Sequence, residues 1–207
     1  IGVDYEWNNT NYSLNPRSGN EIKLVFSTGT KTIKKNNDIL SLKDQAFDYS
    51  TLYDSIKLKS YQIRAKIIGA HYFPLGKRNT LRLSVNAGLL NSESIFRNEL
   101  FQIGGFKLLR GFDEESIFAT QYAVFTAEYR LLVAQNSFFY GFSDIGFSKS
   151  AYQANSTQQQ FLSGGIGMVF ETKNGLLNMN LAVGKRNDLP FDLRKASKIH
   201  FGYVNYF

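Results

Sequence analysis

The residues best suited to chemistry are one arginine in a glycine-rich stretch and two carboxylates that follow it. Arg110 lies in the sequence GGFKLLRGF at residues 104–112, and Glu128 and Asp144 lie in the next two segments of alternating polarity. A guanidinium held away from water requires a carboxylate, and its planar fork can donate two parallel hydrogen bonds to one. Arg110 is therefore either an ion-paired residue that fastens its loop to Glu128, Asp144 or both, or a solvated loop charge.

Enzymatic chemistry has weaker support in the same residues. Glu128 and Asp144 could act as a general acid and base, but an adjacent Arg110 would keep both carboxylates ionised, the wrong state for an acid. The two histidines, His71 and His200, each lie in a strand-like segment without neighbouring metal ligands. We therefore predict no enzymatic activity, no cofactor and no metal site.

The glycines of the arginine stretch are predicted to shape the backbone rather than to bind phosphate. No helix follows them, and their freedom to adopt positive φ suits a loop that packs closely. The acidic run at residues 113–115 is predicted to be a solvated patch at the tip of the loop. The residues of the predicted loop motif are Gly104, Gly105, Leu109, Gly111 and Phe112.

The composition is typical of a membrane β-barrel. The 207 residues include 18 Phe and 12 Tyr, yet no apolar run reaches the roughly 18 residues that a transmembrane helix needs. In a β-barrel, lipid-facing and lumen-facing side chains alternate, so their hydrophobicity averages out. The net charge of +7 arises from scattered residues without a basic block or stacking motif, so no nucleic-acid binding is expected. The absence of cysteine excludes disulfides and thiolate metal sites.

Alternation with a period of two residues predicts nine strands. In the clearest, Leu81 to Leu90, apolar side chains alternate with polar or small ones, as expected when one face meets hydrocarbon. The pattern predicts an all-β fold, a transmembrane antiparallel β-barrel. The predicted strands are Ile1 to Asn8, Glu21 to Thr30, Ile56 to Phe73, Leu81 to Leu90, Tyr122 to Leu132, Phe138 to Ser148, Phe161 to Thr172, Leu176 to Lys185 and Lys198 to Phe207. The residues predicted to face lipid include Leu81, Leu83, Val85, Leu177, Met179 and Leu181.

The connections between these strands alternate between short and long. Outer-membrane barrels have short periplasmic turns and longer external loops, whereas a soluble β-sandwich or a lipocalin-like barrel has no reason for this asymmetry. The predicted short connections are Asn9 to Asn20, Pro74 to Asn79, Val133 to Ser137 and Lys173 to Gly175. The predicted long ones are Lys31 to Asp54, Asn91 to Gln121, Lys149 to Gln160 and Arg186 to Ser197.

These features together resemble the BamA/TamA family of outer-membrane assembly proteins. The arginine loop precedes the final five strands, as in that family, and the turn at residues 15–19 (NPRSG) resembles its turn rich in Pro and Gly. Phe201, Tyr203 and Phe207 resemble the aromatic-terminated last strand that assembly machinery recognises. The resemblance implies that residues 1–207 are one domain, the nine C-terminal strands of a barrel of about sixteen, preceded by further strands and periplasmic POTRA repeats.

The resemblance also implies a function and favours the ion-paired state of Arg110, in which this residue, Glu128 and Asp144 form a structural latch. The expected function is insertion of other proteins into, or translocation across, the outer membrane of a Gram-negative bacterium. The expected partners are outer-membrane lipid, client β-barrel or secreted proteins, and periplasmic or lipoprotein accessory subunits. Lys198 to Phe207 would be the seam strand to which a client strand pairs. Alternatives are a two-partner-secretion translocator and the barrel anchor of a surface enzyme such as a patatin-like lipase.

Overall fold

The structure is a computed structural model that describes residues 1–43, 47–54, 56–151 and 156–205. The strands are β1 (Gly2–Asn8), β2 (Gly19–Thr32), β3 (Lys59–Leu75), β4 (Asn79–Ser92), β5 (Phe101–Ile103), β6 (Ile117–Ala119), β7 (Gln121–Leu132), β8 (Phe138–Ala151), β9 (Ser156–Thr172), β10 (Gly175–Arg186) and β11 (Ser197–Asn205). The described helices are α1 (Asn37–Leu40), α2 (Leu193–Ala196) and the 3-10 turns Tyr49–Thr51 and Arg97–Glu99. Within the described ranges, no helix has the length and apolar character to cross a membrane.

Nine strands form one antiparallel sheet in the order β1-β2-β3-β4-β7-β8-β9-β10-β11. The predicted all-β antiparallel meander is thus confirmed, with β1 and β11 at the two edges of the sheet. Strands β5 and β6 form a separate hairpin. This hairpin belongs to the connection between β4 and β7, residues 93–120, which we call the inner loop because its central part folds back against the sheet.

The sheet has a polar inward face and an apolar outward face. On β7, Val124 and Glu128 are 1% and 6% exposed, whereas Phe125 and Tyr129 at the alternate positions are 50% and 47% exposed. Along such a strand, exposed apolar side chains alternate with buried residues that include charged ones. This distribution is the reverse of that in a soluble protein and suits a sheet surrounded by lipid. The residues predicted to face lipid share the outward parity of their strands: Leu81, Leu83 and Val85 on β4, and Leu177, Met179 and Leu181 on β10.

Apolar burial is concentrated where the inner loop meets the sheet. One cluster joins Leu109 and the β5–β6 hairpin of the inner loop to inward residues of β4, β7 and β9, including Leu90, Val124 and Phe161. A second cluster lies on the sheet itself, around Phe138, Tyr140 and Phe142 of β8, with Val169 and Ala182 beside them. The inner loop therefore fills part of the space that the curved sheet would otherwise leave to water.

The predicted strands are found, but their bounds and connections differ in places. The strand predicted from Ile56 begins at Lys59 and runs through Pro74 to Leu75. The long connection predicted from Lys149 to Gln160 is wrong: β8 continues to Ala151 and β9 starts at Ser156, because polar side chains there keep pairing beyond the apolar band. The sequence also gave no sign of the β5–β6 hairpin. Of the predicted C-terminal strand, Phe207 lies outside the described residues.

We predict that spin labels at Leu83 and Leu181 are accessible to oxygen dissolved in lipid and shielded from a water-soluble nickel chelate. Both side chains lie on the outward face, where hydrocarbon would surround them. A label at Asn86, whose side chain accepts a hydrogen bond from the inward Tyr122, is the control and should show the opposite preference. Equal access of the chelate to all three positions would contradict the transmembrane assignment.

We predict that trypsin added to intact cells cleaves the β2–β3 connection at Lys34 or Lys35. This connection and the one from Arg186 to Ser197 emerge at the same end of the sheet, so both should face the cell exterior. Lys77 and Arg78, exposed in the β3–β4 turn at the other end of the sheet, are the control. They should be cut only after the outer membrane is permeabilised. The same holds for the short turns at residues 16 and 174. Cleavage confined to the short turns in intact cells would reverse the orientation.

Candidate functional site

The structure brings Arg110, Glu128 and Asp144 together inside the sheet. Arg110 donates from Nε and Nη2 to the two carboxylate oxygens of Asp144, at 3.1 and 2.9 Å, and from Nη1 to Glu128 Oε2 at 2.7 Å. The backbone N–H of Arg110 also donates to Asp144 Oδ2 at 3.0 Å. All three residues are buried, Asp144 completely. We call this group the latch.

The surroundings of the latch favour the charged state of the arginine. Burial alone would lower the pKa of the Arg110 guanidinium, but the hydrogen bond and charge of Asp144, followed by those of Glu128, raise it. The guanidinium also lies 3.5 Å from the centre of the Phe142 ring, a cation–π contact that an aromatic face provides. Tyr140 and Phe142 lie on the same inward face of β8 as Asp144, and both rings contact the guanidinium of Arg110, the partner of Asp144.

The local backbone explains why glycines flank Arg110. Gly104, Gly105 and Gly111 have φ of +106°, +107° and +89°, a region that L side chains rarely adopt. Leu109 also has positive φ, +60°, and the burial of its side chain, 1% exposed, opposes the resulting strain. These turns present the Arg110 side chain and its backbone N–H to the same carboxylate.

Apolar residues of the inner loop rest on glycines of the sheet. Leu109 lies over Gly146 of β8, and a Cβ built on that glycine would be 2.9 Å from the leucine. Phe112 lies over Gly184 of β10 in the same way, also at 2.9 Å. Side chains at these positions would push the loop away from the sheet, so the glycines let the loop approach closely. The sequence indicated the glycines of the loop but not their counterparts on the sheet.

The inner loop also contacts the last strand at three alternate inward positions, which we call the seam contacts. Lys198 Nζ lies 2.6 Å from Asp113 Oδ1. His200 Nε2 accepts a hydrogen bond of 3.2 Å from the backbone N–H of Gly111. Gly202 lies under the Phe106 ring, where an added Cβ would be 2.5 Å from a ring carbon.

These contacts add roles that the sequence did not indicate. His200 was expected to have no catalytic or metal-binding role, and its ring instead binds the backbone of the loop motif next to Arg110. The run at residues 113–115 is exposed, as expected of a solvated patch, but Asp113 also pairs with Lys198 and Glu114 accepts a hydrogen bond from the backbone N–H of Phe106. The inward parity of His200 on the last strand was the signal that could have indicated its contact.

A second arginine shares Glu128 with the latch. Arg130 donates from Nε to Glu128 Oε1 at 2.8 Å, so each carboxylate oxygen of Glu128 faces a different guanidinium. Arg130 also donates from Nη1 to Asn15 Oδ1 at 3.0 Å. Its guanidinium carbon lies 4.8 Å from the centre of the Phe138 ring. The sequence did not indicate this role of Arg130.

The outer part of the inner loop is fastened to the neighbouring long connection and strands. Lys31 Nζ lies 2.5 Å from Glu99 Oε2, and Lys57 Nζ lies 2.7 Å from Glu93 Oε1. Partial burial alone would raise the pKa of the Glu99 carboxyl, but hydrogen bonds from Lys31 and from the backbone of Phe96 lower it. The inner loop is therefore held at its entrance as well as at the latch.

The latch borders a cavity of about 350 Å³ on the inward side of the sheet. Polar side chains line it beside the loop, including Arg82, Asn86, Thr126 and Asn178. In the described part of the chain, no group of three or more His, Cys, Asp or Glu residues is positioned to bind a metal ion. The arrangement holds two carboxylates against two guanidinium groups, which is suited to fixing a loop.

We predict that Arg110→Ala lowers the free energy of unfolding in lipid by about 3 to 5 kcal/mol, because it leaves the buried Asp144 without a cation and Glu128 with Arg130 alone. Arg110→Lys should recover only part of the loss, since an ammonium lacks the planar fork that binds both oxygens of Asp144. Urea titration monitored by heat-modifiable gel mobility measures both effects. Lys107→Ala, an exposed residue of the same loop, is the control and should be neutral. Wild-type stability of Arg110→Ala would contradict the latch.

Comparison with known proteins assigns the chain to a family. The model of the Omp85 superfamily domain matches residues 1–205. No curated protein matches the chain. The match agrees with the resemblance to the C-terminal barrel region of the BamA/TamA family and with the antiparallel sheet. Because it covers nearly the whole sequence, the protein belongs to the Omp85 superfamily, whose members are outer-membrane β-barrel proteins concerned with protein insertion and translocation.

Proposed function

We propose that this protein inserts other β-rich proteins into the outer membrane of a Gram-negative bacterium in the manner of the BamA/TamA family. The observation that carries the proposal is that the edge strand β11 is held from inside by the same loop that carries the latch. The function needs no chemical step by the protein. Glu128 and Asp144, the buried carboxylates nearest the cavity, are engaged by arginines and serve to hold the loop.

The edge strand β11 offers the backbone hydrogen-bonding groups that a client strand needs. Among the described strands, β11 pairs only with β10, so the backbone groups along its other edge remain available to a further strand. A client segment in extended conformation could add there by β-augmentation, with main-chain hydrogen bonds that require no particular client sequence. The outward Ile199, Phe201 and Tyr203 are exposed and would face lipid during this exchange.

The seam contacts would regulate when the free edge of β11 can pair with a client strand. They involve Lys198, His200 and Gly202, at alternate positions of β11, and all three reach loop residues 106–113. A loop seated by the latch would keep β11 in place, and a loop that leaves would free the inward face of β11 to twist away from the sheet. Release of the loop therefore precedes pairing with a client in the proposed mechanism.

The proposed partners follow from the two faces of the sheet. Outer-membrane lipid surrounds the apolar outward face, and unfolded β-barrel proteins are the clients of the β11 edge. Periplasmic or lipoprotein accessory subunits would bind at the end of the barrel that carries the short turns. A two-partner-secretion translocator would instead pass a secreted chain through the lumen, and the inner loop would have to vacate the cavity for that purpose.

We predict that covalent closure of the seam contacts stops client insertion. The variant Asp113→Cys/Lys198→Cys places the only two cysteines of this chain where the native ion pair spans 2.6 Å. In vesicles containing the full-length protein, a short reducible bis-maleimide should link them and abolish folding of an added eight-stranded barrel client, measured by heat-modifiable mobility. Reduction of the linker should restore folding, because the loop can then leave β11.

The control is Gln102→Cys/Phe118→Cys, which joins a registered pair within the β5–β6 hairpin without touching β11. Linkage there should leave client folding at the wild-type rate. Full activity of the linked Asp113→Cys/Lys198→Cys protein would refute the proposed control of the edge. Export of a secreted substrate without any folding of barrel clients would instead support the translocator.

A further inference from the structure

Asn15 is linked to the latch through Arg130, from the end of the sheet that carries the short turns. It lies in the β1–β2 connection, at the end that carries the short turns, yet it is only 3% exposed. Its Oδ1 accepts a hydrogen bond from Arg130 Nη1, and its Nδ2 donates to the backbone carbonyl of Gln135 in the β7–β8 turn, both at 3.0 Å. A buried polar side chain with both ends satisfied is held in one orientation.

The two partners of Asn15 require an amide. The guanidinium of Arg130 offers only donors, so it needs the oxygen, whereas the carbonyl of Gln135 offers only an acceptor, so it needs the nitrogen. A carboxylate at this position would face the Gln135 carbonyl without a proton to share. An apolar side chain would leave the Arg130 Nη1 group without this acceptor. The position therefore suits asparagine better than its isosteric acid.

A continuous chain of hydrogen bonds leads from this amide to the inner loop. Arg130 binds Asn15 through Nη1 and Glu128 Oε1 through Nε, and Glu128 Oε2 accepts from Arg110. The Arg130 guanidinium also contacts two aromatic rings, at 4.8 Å from the centre of Phe138 and 5.5 Å from the centre of Tyr72. With Arg130 fixed at Oε1, the Glu128 carboxylate is turned to present Oε2 to Arg110.

We propose that Asn15 is a positioning residue of the latch, through which the β1–β2 turn sets how firmly the inner loop is held. This inference rests on the proposed function, in which release of the inner loop frees β11, and identifies a means of regulating that release. A displacement of the turn removes the outer hydrogen bond of Arg130, frees the guanidinium to leave Glu128, and weakens the grip of Glu128 on Arg110. A signal arriving at the short-turn end can therefore loosen a loop that entered from the other end.

The test measures how often the inner loop leaves its site. Leu109→Cys supplies a single thiol at a position that is 1% exposed in the seated loop, in a chain without other cysteines. Its rate of maleimide labelling in the full-length protein in vesicles reports the open population. We expect Asn15→Ala to raise this rate about tenfold, the effect of losing one buried hydrogen bond to a charged group. An unchanged rate would overturn the proposal.

The matched control is Asn11→Ala in the same turn. The Asn11 side chain accepts hydrogen bonds from the backbone N–H groups of Arg17 and Ser18 and does not reach Arg130. It should leave the labelling rate near the wild-type value, and an increase equal to that of Asn15→Ala would show a general loosening of the turn, which overturns the specific role. Ser163→Cys, buried on the sheet beside Asp144, is a second reporter if the cysteine at position 109 prevents seating of the loop.

A double substitution distinguishes two explanations for an effect of Asn15→Ala: positioning of the latch through Glu128, or packing of the turn alone. In a Glu128→Gln background, where the carboxylate that links the arginines is gone, Asn15→Ala should change the labelling rate by less than about twofold. The same tenfold increase in both backgrounds would refute the relay. Client folding is assayed separately: a loosened loop with unaltered client folding would count against the proposed function and leave the role of Asn15 intact.

Discussion

A carboxylate with no exposure to solvent is the constraint on which the inner face of this sheet depends. Asp144 accepts hydrogen bonds from the backbone and guanidinium of Arg110 and from Thr126, and Ser163 lies 3.5 Å away. While the inner loop is seated, water cannot replace these donors, so removing the arginine from the seated loop would cost several kcal/mol. The contacts of Asp144 therefore favour the seated loop, and the glycines that bring loop and sheet together serve that requirement.

The distribution of polarity follows from the same requirement. The outward face is apolar, and the inward face carries charged side chains, among them Glu128, which is shared by Arg110 and Arg130. Each charge on the inward face would be costly if the strand shifted by one residue, because a one-residue slip exchanges the faces. The latch and its neighbours thus fix the register of β7 and β8 in addition to the position of the loop.

The sequence predicted the strands well because period-two alternation persists over long segments. It found the latch residues because a guanidinium held away from water requires a carboxylate, an argument that needs no knowledge of the fold. It failed for the β5–β6 hairpin, whose strands are three residues long, too short to show a period. It also missed His200 and Asn15, whose partners lie 89 and 115 residues away in the chain, so only the assembled sheet brings them together.

The glycines of the sheet on which the inner loop rests have a consequence for the order of folding. Gly146, Gly184 and Gly202, which receive the side chains of the inner loop, all follow that loop in the chain, as do Glu128 and Asp144. Because these contacts include Gly202 on the last strand, the full set can close only after β11 has paired. Seating of the loop is a late event of barrel formation, and it acts as an internal check that β11 is in register.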